Sequence, residues 1–384
     1  MIDREVHNFP SPAVMPVNEM AARKGLVRVH ADATAISTVK PESGALTYRG
    51  YPVQELARRC SFEEIAYLLW RGELPEHDEV VAQNRAERAQ RALDPLIVAT
   101  LDDLPVTAHP MDTLRRAVSL LGAGDPAGDD NSPAAIHAKA LRLFAALPSV
   151  VAMDQRRRHG LGTIAPRDDL GYAANFLYMT FGKVPEPQIV AAFETSLILY
   201  AEGRLNASMF TASVVTSALP DPYRAVAAAI GALKEPLDGA GTAVLEMMDE
   251  VAIPDNAKPW LEDALAAKRK VAGFCPRVYK NGDPRVPAMR AALGMVAALR
   301  RGQHLIDVYE ALAAAMYGAR GVYPSLDYPA CPAYRLMGFD TPTFSPIFVV
   351  ACLPGWTARI EQVAAHGLIR SLAVPNGPAE PQFP

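Results

Sequence analysis

A carboxylate stands beside two glycines in the segment KEPLDGAGT, residues 234–242. Closely spaced glycines can form a turn that cradles a phosphate, but a dinucleotide-binding fingerprint needs a strand before them and a third glycine or alanine at the correct offset. An alanine-rich helical segment precedes Gly239, and Val244 occupies the third glycine position of the pattern. The segment therefore does not predict a dinucleotide site, and the role of Asp238 needs another explanation.

Cysteine, a common nucleophile and zinc ligand, is sparse and scattered in this chain. The four cysteines form no CxxC pair, so neither a disulfide framework nor a zinc knuckle is predicted; they are Cys60, Cys275, Cys331 and Cys352. The one dense cationic run, RRRH at 156–159, is typical of a solvated helix end. No metal site is predicted, and the cysteine usage favours a reduced, cytoplasmic compartment.

Length and composition predict a globular protein. The 384 residues can form a large core, and a chain of this length is expected to fold as two or three domains. The formal net charge of −4 gives no basic surface for nucleic acid. The N-terminal segment mixes charges with prolines, and no later window approaches a run of apolar residues long enough to span a bilayer. We therefore expect neither an export signal nor a membrane span.

Hydrophobic periodicity predicts an all-α protein. Apolar residues recur at three- and four-residue spacing in the segments 111–121, 132–147, 169–181, 186–202, 207–217, 223–234, 258–271, 284–301 and 308–317. Another helix is expected after Ser61, because Ser61 and Glu64 form a capping-box pattern. One short strand is predicted at 26–31. The segments 122–133 and 318–332 are expected to be irregular, and the second is rich in proline and tyrosine, as functional loops can be.

Several separated blocks resemble the citrate synthase family. They are GALTYRGYPV at 44–53, SFEEIAYLLWRGELP at 61–75, AHPMDTLRRAVSLLGAGDP at 108–126, APRDDLGYAANFLYMTFGKVP at 165–185, the run 205–237 and GWTARIEQ at 355–362. They follow the family's order along nearly the whole chain. The resemblance implies an all-α homodimer of the citrate synthase fold. Residues 1–224 and 334–384 would form a large domain, and 225–333 a smaller domain that closes over the active-site cleft.

The family's reaction resembles a Claisen-type condensation followed by thioester hydrolysis. It requires a carboxylate base, a donor to the enolate oxygen of the acyl thioester, a donor to the acceptor carbonyl and cations for the acceptor's carboxylates. Asp327, in YPSLDY at 323–328, matches the family's base, and the alternative is an aspartate bound by turn amides. Asp238 replaces the family's enolate-binding histidine and could donate only when protonated. Tyr200 is the other candidate for a neutral donor.

At further site positions the chain departs from the family. Tyr200 and Gly203 occupy the positions of two histidines, Pro276 that of a third, and Cys352 that of a carboxylate-binding arginine. None of the chain's histidines matches a site position; they are His7, His30, His77, His109, His137, His159, His304 and His366. The replacement of these family site residues predicts an acyltransferase with a non-standard acceptor and little or no ordinary citrate synthesis. The alternative is a catalytically inactive homologue that acts as a ligand-binding or regulatory module.

The resemblance also implies substrate contacts. Arg285 and Arg370 match arginines that hold the acceptor's carboxylates, Arg370 across the dimer interface. Lys280 and Arg320 resemble residues that contact the phosphates of coenzyme A, with ordinary surface solvation as the alternative. The expected substrates are an acyl-CoA thioester and a 2-oxo acid-like acceptor, without a tightly bound cofactor.

Three cysteines, Cys275, Cys331 and Cys352, lie in or beside the matched blocks. They could bring thiols together in one cleft, and a cationic neighbour could make such a thiol reactive. Free cysteine more often packs as a small buried hydrophobe, so core packing is the simpler interpretation.

Overall fold

The computed structural model describes residues 34–40, 44–202, 207–218, 221–233, 240–274, 279 and 281–366. These residues all belong to one compact unit that spans 34–369. The strand predicted at 26–31 lies outside the described residues. Within them the chain is almost entirely helical, and the prediction of an all-α fold is confirmed.

A small antiparallel sheet precedes the helices. Its strands are β1 (Ser37–Lys40), β2 (Ala45–Tyr48) and β3 (Tyr51–Pro52), with β2 in the middle. Arg49 and Gly50 join β2 to β3, and both have positive φ angles, 48° and 92°. Two positive φ angles are the requirement of the tight hairpin turn whose twist matches its strands. The Arg49 guanidinium donates to the carbonyl oxygen of Leu69 at 2.6 Å, which joins this turn to the helical part of the fold.

Sixteen α-helices follow in the part of the chain that the structure describes. They are α1 (Val53–Arg59), α2 (Phe62–Arg71), α3 (His77–Arg88), α4 (Pro95–Asp102), α5 (Pro110–Ala123), α6 (Pro133–Arg158), α7 (Tyr172–Phe181), α8 (Pro187–Tyr200), α9 (Ala207–Thr216), α10 (Pro222–Leu233), α11 (Ala240–Val251), α12 (Ala257–Ala266), α13 (Val286–Arg300), α14 (Gln303–Arg320), α15 (Asp327–Met337) and α16 (Phe344–His366). The capping box at the start of α2 is confirmed, because the Ser61 and Glu64 side chains each accept from the other's backbone amide.

The two longest helices lie in the core. α16 packs against α2, α6, α8 and α9, and α6 also packs against α5 and α7. Both α6 and a segment that includes α16 are long and apolar enough to cross a membrane, but 83% and 89% of their most apolar windows are buried inside the fold. Their apolar surface is therefore explained by packing against other helices.

Helix α6 extends eleven residues beyond its predicted end at 147. Pro148 has no amide hydrogen, so it cannot bond to the carbonyl oxygen of Phe144 one turn earlier. The hydroxyl of Tyr172 donates to that oxygen at 2.9 Å, and the Tyr172 ring stacks on the Phe144 ring with centroids 4.3 Å apart. The helix continues through the proline because a neighbouring side chain satisfies the carbonyl that the proline leaves unpaired.

The expectation that 318–332 is irregular is only partly right. α14 continues to Arg320 and ends at Gly321, which has a φ of 62°, and α15 already begins at Asp327. Only 321–326 is outside helices. Asp327 thus lies at the start of a helix rather than within a flexible loop.

The basic run 156–159 forms the C-terminal end of α6, as predicted, but its arginines are bound rather than freely solvated. Arg156 donates to the carbonyl oxygen of Gly162 at 2.6 Å. Arg157 and Arg158 both donate to Asp154, at 2.9 and 3.1 Å. The run therefore stabilises the helix end and its neighbouring loop.

A group of glutamates lies where α2, α7 and α8 meet. Glu194 accepts from the backbone amide of Phe62 at 3.1 Å, and Glu63 accepts from the backbone amide of Tyr172 at 2.8 Å. Burial, followed by the charge of Glu63, raises the pKa of Glu194 to about 7. The native state therefore keeps a proton on Glu194 at pH values where the unfolded chain, with an ordinary glutamate pKa, has lost it. This group lowers stability as pH rises from about 4.5 to 7.

We expect Glu194→Gln to be more stable than the wild type at about pH 8, by about 1–3 kcal/mol, because the amide still accepts from Phe62 and carries no buried charge. The advantage should shrink towards pH 5, where the wild-type carboxyl is protonated. Urea unfolding at several pH values measures it. Glu262→Gln, on the exposed face of α12, is the control and should show no such pH dependence. An equal stability difference at both pH values would contradict the prediction.

Candidate active site

Asp327 and Tyr200, two of the predicted site residues, are in direct contact. Tyr200 is the last residue of α8, and Asp327 is the first residue of α15. The phenol oxygen of Tyr200 donates to Oδ1 of Asp327 at 2.6 Å, the length of a hydrogen bond from a hydroxyl to a charged carboxylate. The N-terminal end of α15 also favours a negative charge at this position. The fold thus joins a carboxylate and a phenol that are 127 residues apart in sequence.

The surroundings of Asp327 act on its pKa in opposite directions. Burial raises the pKa of Asp327, whereas the hydrogen bond from Tyr200 and the charge of Arg285 lower it, and the net change is upward. Burial, together with the charge of Asp327, keeps the pKa of Tyr200 well above 10. Tyr200 is therefore a neutral hydrogen-bond donor at physiological pH. Asp327 as a whole residue is half-buried.

The C-terminal end of α8 is bound by side chains from three other elements. The last carbonyl oxygens of a helix have no partner within the helix and need donors from outside it. The Tyr48 hydroxyl donates to the carbonyl oxygens of Ile198 at 3.1 Å and Leu199 at 3.2 Å. The Arg285 guanidinium donates to the Leu199 carbonyl oxygen at 3.3 Å, and the Cys352 thiol to that of Tyr200 at 3.1 Å. The backbone that carries the Tyr200 phenol is consequently fixed by β2, by the segment before α13 and by α16.

A buried ion pair lies two residues beyond Tyr200. Nη2 of Arg359, in α16, is 2.7 Å from Oε1 of Glu202, and their side chains are 6% and 3% exposed. Ser37 in β1 donates to the same carboxylate at 3.0 Å. A buried pair needs such additional hydrogen bonds to offset the loss of hydration. The pair connects the end of α8 to both β1 and α16.

Gly355 allows α16 to approach this region closely. A Cβ atom at Gly355 would lie 2.3 Å from the carbonyl oxygen of Ala201 and 2.5 Å from Oε2 of Glu202. No side chain fits at such distances. The glycine is required by the contact between two helices rather than by its own backbone angles.

Arg285, the predicted acceptor-binding arginine, is paired with Asp283. Nη2 and Nε of Arg285 donate to the two carboxylate oxygens of Asp283 at 2.7 and 2.9 Å. Burial lowers the pKa of Arg285, but the Asp283 carboxylate has the larger combined effect and the net change is upward. The guanidinium is therefore a permanent cation, held by a two-point contact that fixes its plane.

The segment before Asp327 is fixed by a second chain segment. Ser325 donates its amide to the carbonyl oxygen of Gly273 at 2.7 Å, and Phe274 and Pro324 form an isolated bridge. Gly273 has a φ of 77°, and a Cβ atom there would lie 2.8 Å from the Tyr328 ring. This close approach positions the start of α15 and hence Asp327.

The described cysteines near the site support core packing. Cys331 and Cys352 are both buried, and burial raises the pKa of each thiol well above its usual value. Both remain protonated at physiological pH, whereas a reactive cysteine needs an accessible thiolate. Cys275 lies outside the described residues.

The other predicted residues are only partly accounted for. Arg320 is exposed at the end of α14, and its side chain forms no hydrogen bond or ion pair with another described residue. Asp238, Lys280 and Arg370 lie outside the described residues, as do Gly203 and Pro276. Sequence reasoning did not single out the residues that support the site, namely Tyr48, Glu202, Asp283 and Arg359. Asp283 and Glu202 could have been noticed from their two-residue spacing to Arg285 and Tyr200, but Tyr48 and Arg359 are remote in sequence.

The histidines of the described residues have other surroundings. His109 accepts from the first turn of α5, and His159 lies 2.8 Å from Asp340. The His137 ring packs edge-on against Trp70, and burial lowers the pKa of His137 to about 4. Across the described ranges no histidine hydrogen-bonds to Asp327 or Tyr200, and no group of three or more potential metal ligands occurs.

The fold is that of the citrate synthases. A solved citrate synthase from Pyrobaculum aerophilum superposes with a TM-score of 0.86 at 34% identity and covers 92% of each chain. The ternary complex of carboxymethyl coenzyme A and oxaloacetate with citrate synthase from Thermoplasma acidophilum also gives a TM-score of 0.86, at 26% identity over 93% of this chain and 96% of that one.

Sequence comparison leads to the same family. Residues 25–372 match the family model described as "Citrate synthase, C-terminal domain". A 2-methylcitrate synthase from Mycobacterium tuberculosis is 54% identical over 353 residues, 91% of this chain and 89% of the relative. A citrate synthase from Mycolicibacterium smegmatis is 52% identical over 356 residues, 92% of this chain and 95% of the relative. The chain belongs to the citrate synthase family.

We expect Gly355→Ala to destabilise the protein by about 1–3 kcal/mol, because the added methyl group forces α16 away from the end of α8. Gly318→Ala is a matched control in α14, where the new Cβ would meet no described atom within 4 Å beyond the adjoining residues and the helix's own backbone. It should be neutral or stabilising by up to about 1 kcal/mol, since alanine favours helix more than glycine does. Urea unfolding of both variants measures the difference. Equal stability of the two variants would show that the close approach at Gly355 is not a constraint.

Proposed function

We propose that the protein is an acyltransferase of the citrate synthase type with an altered active site. It would remove a proton from the carbon next to the carbonyl of an acyl-CoA thioester, join that carbon to the carbonyl carbon of a 2-oxo acid-like acceptor, and hydrolyse the thioester. The observation that carries the proposal is the 2.6 Å hydrogen bond between Tyr200 and the half-buried Asp327. Membership of the citrate synthase family supports the reaction class.

Asp327 has the properties that the first step requires. A carbon acid next to a thioester is weak, and a carboxylate removes its proton more readily when burial has raised the carboxylate's pKa. The C–H bond breaks, the proton moves to an Asp327 oxygen, and the electron pair forms the enolate. Because Asp327 then becomes neutral, the hydrogen bond that it accepts from Tyr200 becomes weaker.

Tyr200 can then act as a donor to the enolate. Its phenol stays protonated, because its pKa is far above physiological pH, and a neutral donor can stabilise an oxygen on which charge develops. We infer that the phenol shifts from Asp327 towards the enolate oxygen as the proton transfers. Asp238 remains a second proposed donor, on the condition that it is protonated. Neither group reproduces the imidazoles that the resemblance leads us to expect, and the proposal of an altered site rests on this difference.

Four cations are proposed to bind the substrates. Arg285 would hold a carboxylate of the acceptor, and its contact with Asp283 supports a fixed orientation of the guanidinium. Arg370 would act in the same way from the partner of a homodimer. Lys280 and Arg320 would contact the phosphates of coenzyme A, and the exposure of Arg320 leaves it accessible for this role. Closure of a smaller domain, residues 225–333, over the cleft would exclude water from the enolate.

The acyl group is proposed to have three carbons. Two similar proteins are called 2-methylcitrate synthases, one from Mycobacterium tuberculosis and one, at 46% identity, from Corynebacterium glutamicum. 2-Methylcitrate carries one methyl group more than citrate, and a propionyl thioester would supply it where an acetyl thioester would not. The acceptor is proposed to be a 2-oxo acid, as the family resemblance implies.

Solvent exchange tests the first chemical step without knowledge of the acceptor. The purified protein should catalyse deuterium incorporation next to the thioester carbonyl of propionyl-CoA in D₂O, measured by mass spectrometry. Asp327→Asn should lower the rate by at least about 10²-fold, because the amide cannot accept the proton. Tyr200→Phe should lower the exchange rate by about 10–10³-fold, in line with the loss of one oxyanion donor.

Asp255→Asn is the control for these variants, since Asp255 is exposed in the short turn Pro254–Asn256. It should exchange at the wild-type rate. Absence of exchange with both acetyl- and propionyl-CoA, together with measurable coenzyme A binding, would contradict the enzyme and support the alternative, a ligand-binding or regulatory homologue.

Product formation tests the altered specificity. With oxaloacetate and acetyl-CoA we expect little or no citrate, because a missing or inverted oxyanion donor typically costs at least about 10²–10³ in rate. Chromatography with mass detection, run beside a panel of other 2-oxo acids, measures citrate and any other condensation product. Citrate formation at the rate of an ordinary synthase would refute the altered site.

A further inference from the structure

Helix α16 contacts Tyr200 at two places. The Phe348 ring lies edge-on to the Tyr200 ring, with centroids 5.2 Å apart and planes at 78°. One turn later, Sγ of Cys352 lies 3.1 Å from the carbonyl oxygen of Tyr200. Residues four apart lie on the same face of a helix. One face of α16 therefore contacts both the ring and the backbone of the residue that donates to Asp327.

The Cys352 thiol must be the donor in this contact. A carbonyl oxygen can only accept, and a thiolate beside it would be repelled. Cys352 is buried, and burial raises the pKa of the thiol, which keeps the S–H proton in place. Because Tyr200 ends α8, its carbonyl oxygen has no partner within the helix. A donor at this point therefore decides how the last residue of α8 is oriented.

We propose that Cys352 is a positioning residue, whose S–H holds the Tyr200 backbone so that the phenol stays on Asp327. The inference deepens the proposed function, since it names a residue that acts on the base through Tyr200. Cys352 does not touch the substrate in this proposal. Tyr48 and Arg285 hold the two preceding carbonyls, but Cys352 alone among the described side chains donates to Tyr200 itself.

The consequence appears in the titration of Asp327. The Tyr200 hydrogen bond favours the charged form of Asp327, so its loss moves the pKa of Asp327 upward. The other titratable or charged groups whose charge bears on Asp327, from its own helix and from the neighbouring elements, are Arg285, Asp283, Cys331, Tyr334 and Cys352. Because the buried Cys352 thiol is protonated and neutral, its substitution by another neutral residue adds or removes no charge near Asp327. A change in the Asp327 titration would then report the position of Tyr200.

Two substitutions separate the hydrogen bond from packing. Cys352→Ala removes the donor, and Cys352→Ser keeps one on a side chain of similar size. We expect the alanine variant to raise the pKa of Asp327 by about 0.5–1 unit. The serine variant should remain within about 0.3 units of the wild type, because its hydroxyl can still donate. The measurement is a ¹³C NMR titration of protein labelled at the aspartate carboxyl carbons, with the Asp327 signal assigned by its absence in Asp327→Asn.

Cys60→Ala is the control, because this half-buried cysteine ends α1 and is not part of the site. It should leave the Asp327 titration unchanged. Should the Cys352→Ala protein fail to fold, Phe348→Leu loosens the phenol from its other side and should shift the same pKa in the same direction.

The titration does not depend on turnover, so it separates this inference from the proposed function. A wild-type protein that exchanges no thioester protons would refute the enzyme, and its Asp327 signal would still show whether Cys352 positions Tyr200. In an active protein, the acid limb of the exchange rate should move to higher pH in Cys352→Ala and stay in place in Cys352→Ser. An Asp327 pKa that is identical in the wild type and Cys352→Ala would overturn the inference.

Discussion

The hydrogen bond from Tyr200 to Asp327 is the interaction on which the rest of the site depends. Burial pushes Asp327 towards its neutral form, and the phenol partly reverses this by stabilising the charge. Without the phenol, the pKa of Asp327 would be higher, and more of the carboxyl group would be protonated and unable to accept a proton. Without burial it would be a weak base, as in water. The net result of these two opposing effects is a pKa of Asp327 above its ordinary value.

The balance is maintained by residues that are distant in sequence. β2, α16 and the segment before α13 each provide one donor to the end of α8, and the buried Glu202–Arg359 pair follows directly after it. A helix end usually has water as the partner of its last carbonyl oxygens. Here the partners are protein side chains. The precision of the site is therefore a property of the whole compact unit rather than of a single loop.

The sequence predicted the helical class well, because apolar spacing reports directly on the buried face of each helix. It failed where one contact overrode a local rule. Pro148 indicates a helix end by itself, but the Tyr172 hydroxyl satisfies the carbonyl that it leaves unpaired. Asp327 and Tyr200 were singled out through family resemblance, yet their hydrogen bond could not be foreseen. Contacts such as those of Cys352 and Glu202 join remote segments, and no local pattern reports them.

The missing side chain at Gly355 has a mechanical consequence. With the backbone of α16 in van der Waals contact with residues 201 and 202, the two helices have no room to slide past each other. They should travel as one rigid body whenever the protein changes shape. A change of shape elsewhere in the fold would therefore leave the contact between Cys352 and the Tyr200 carbonyl oxygen intact.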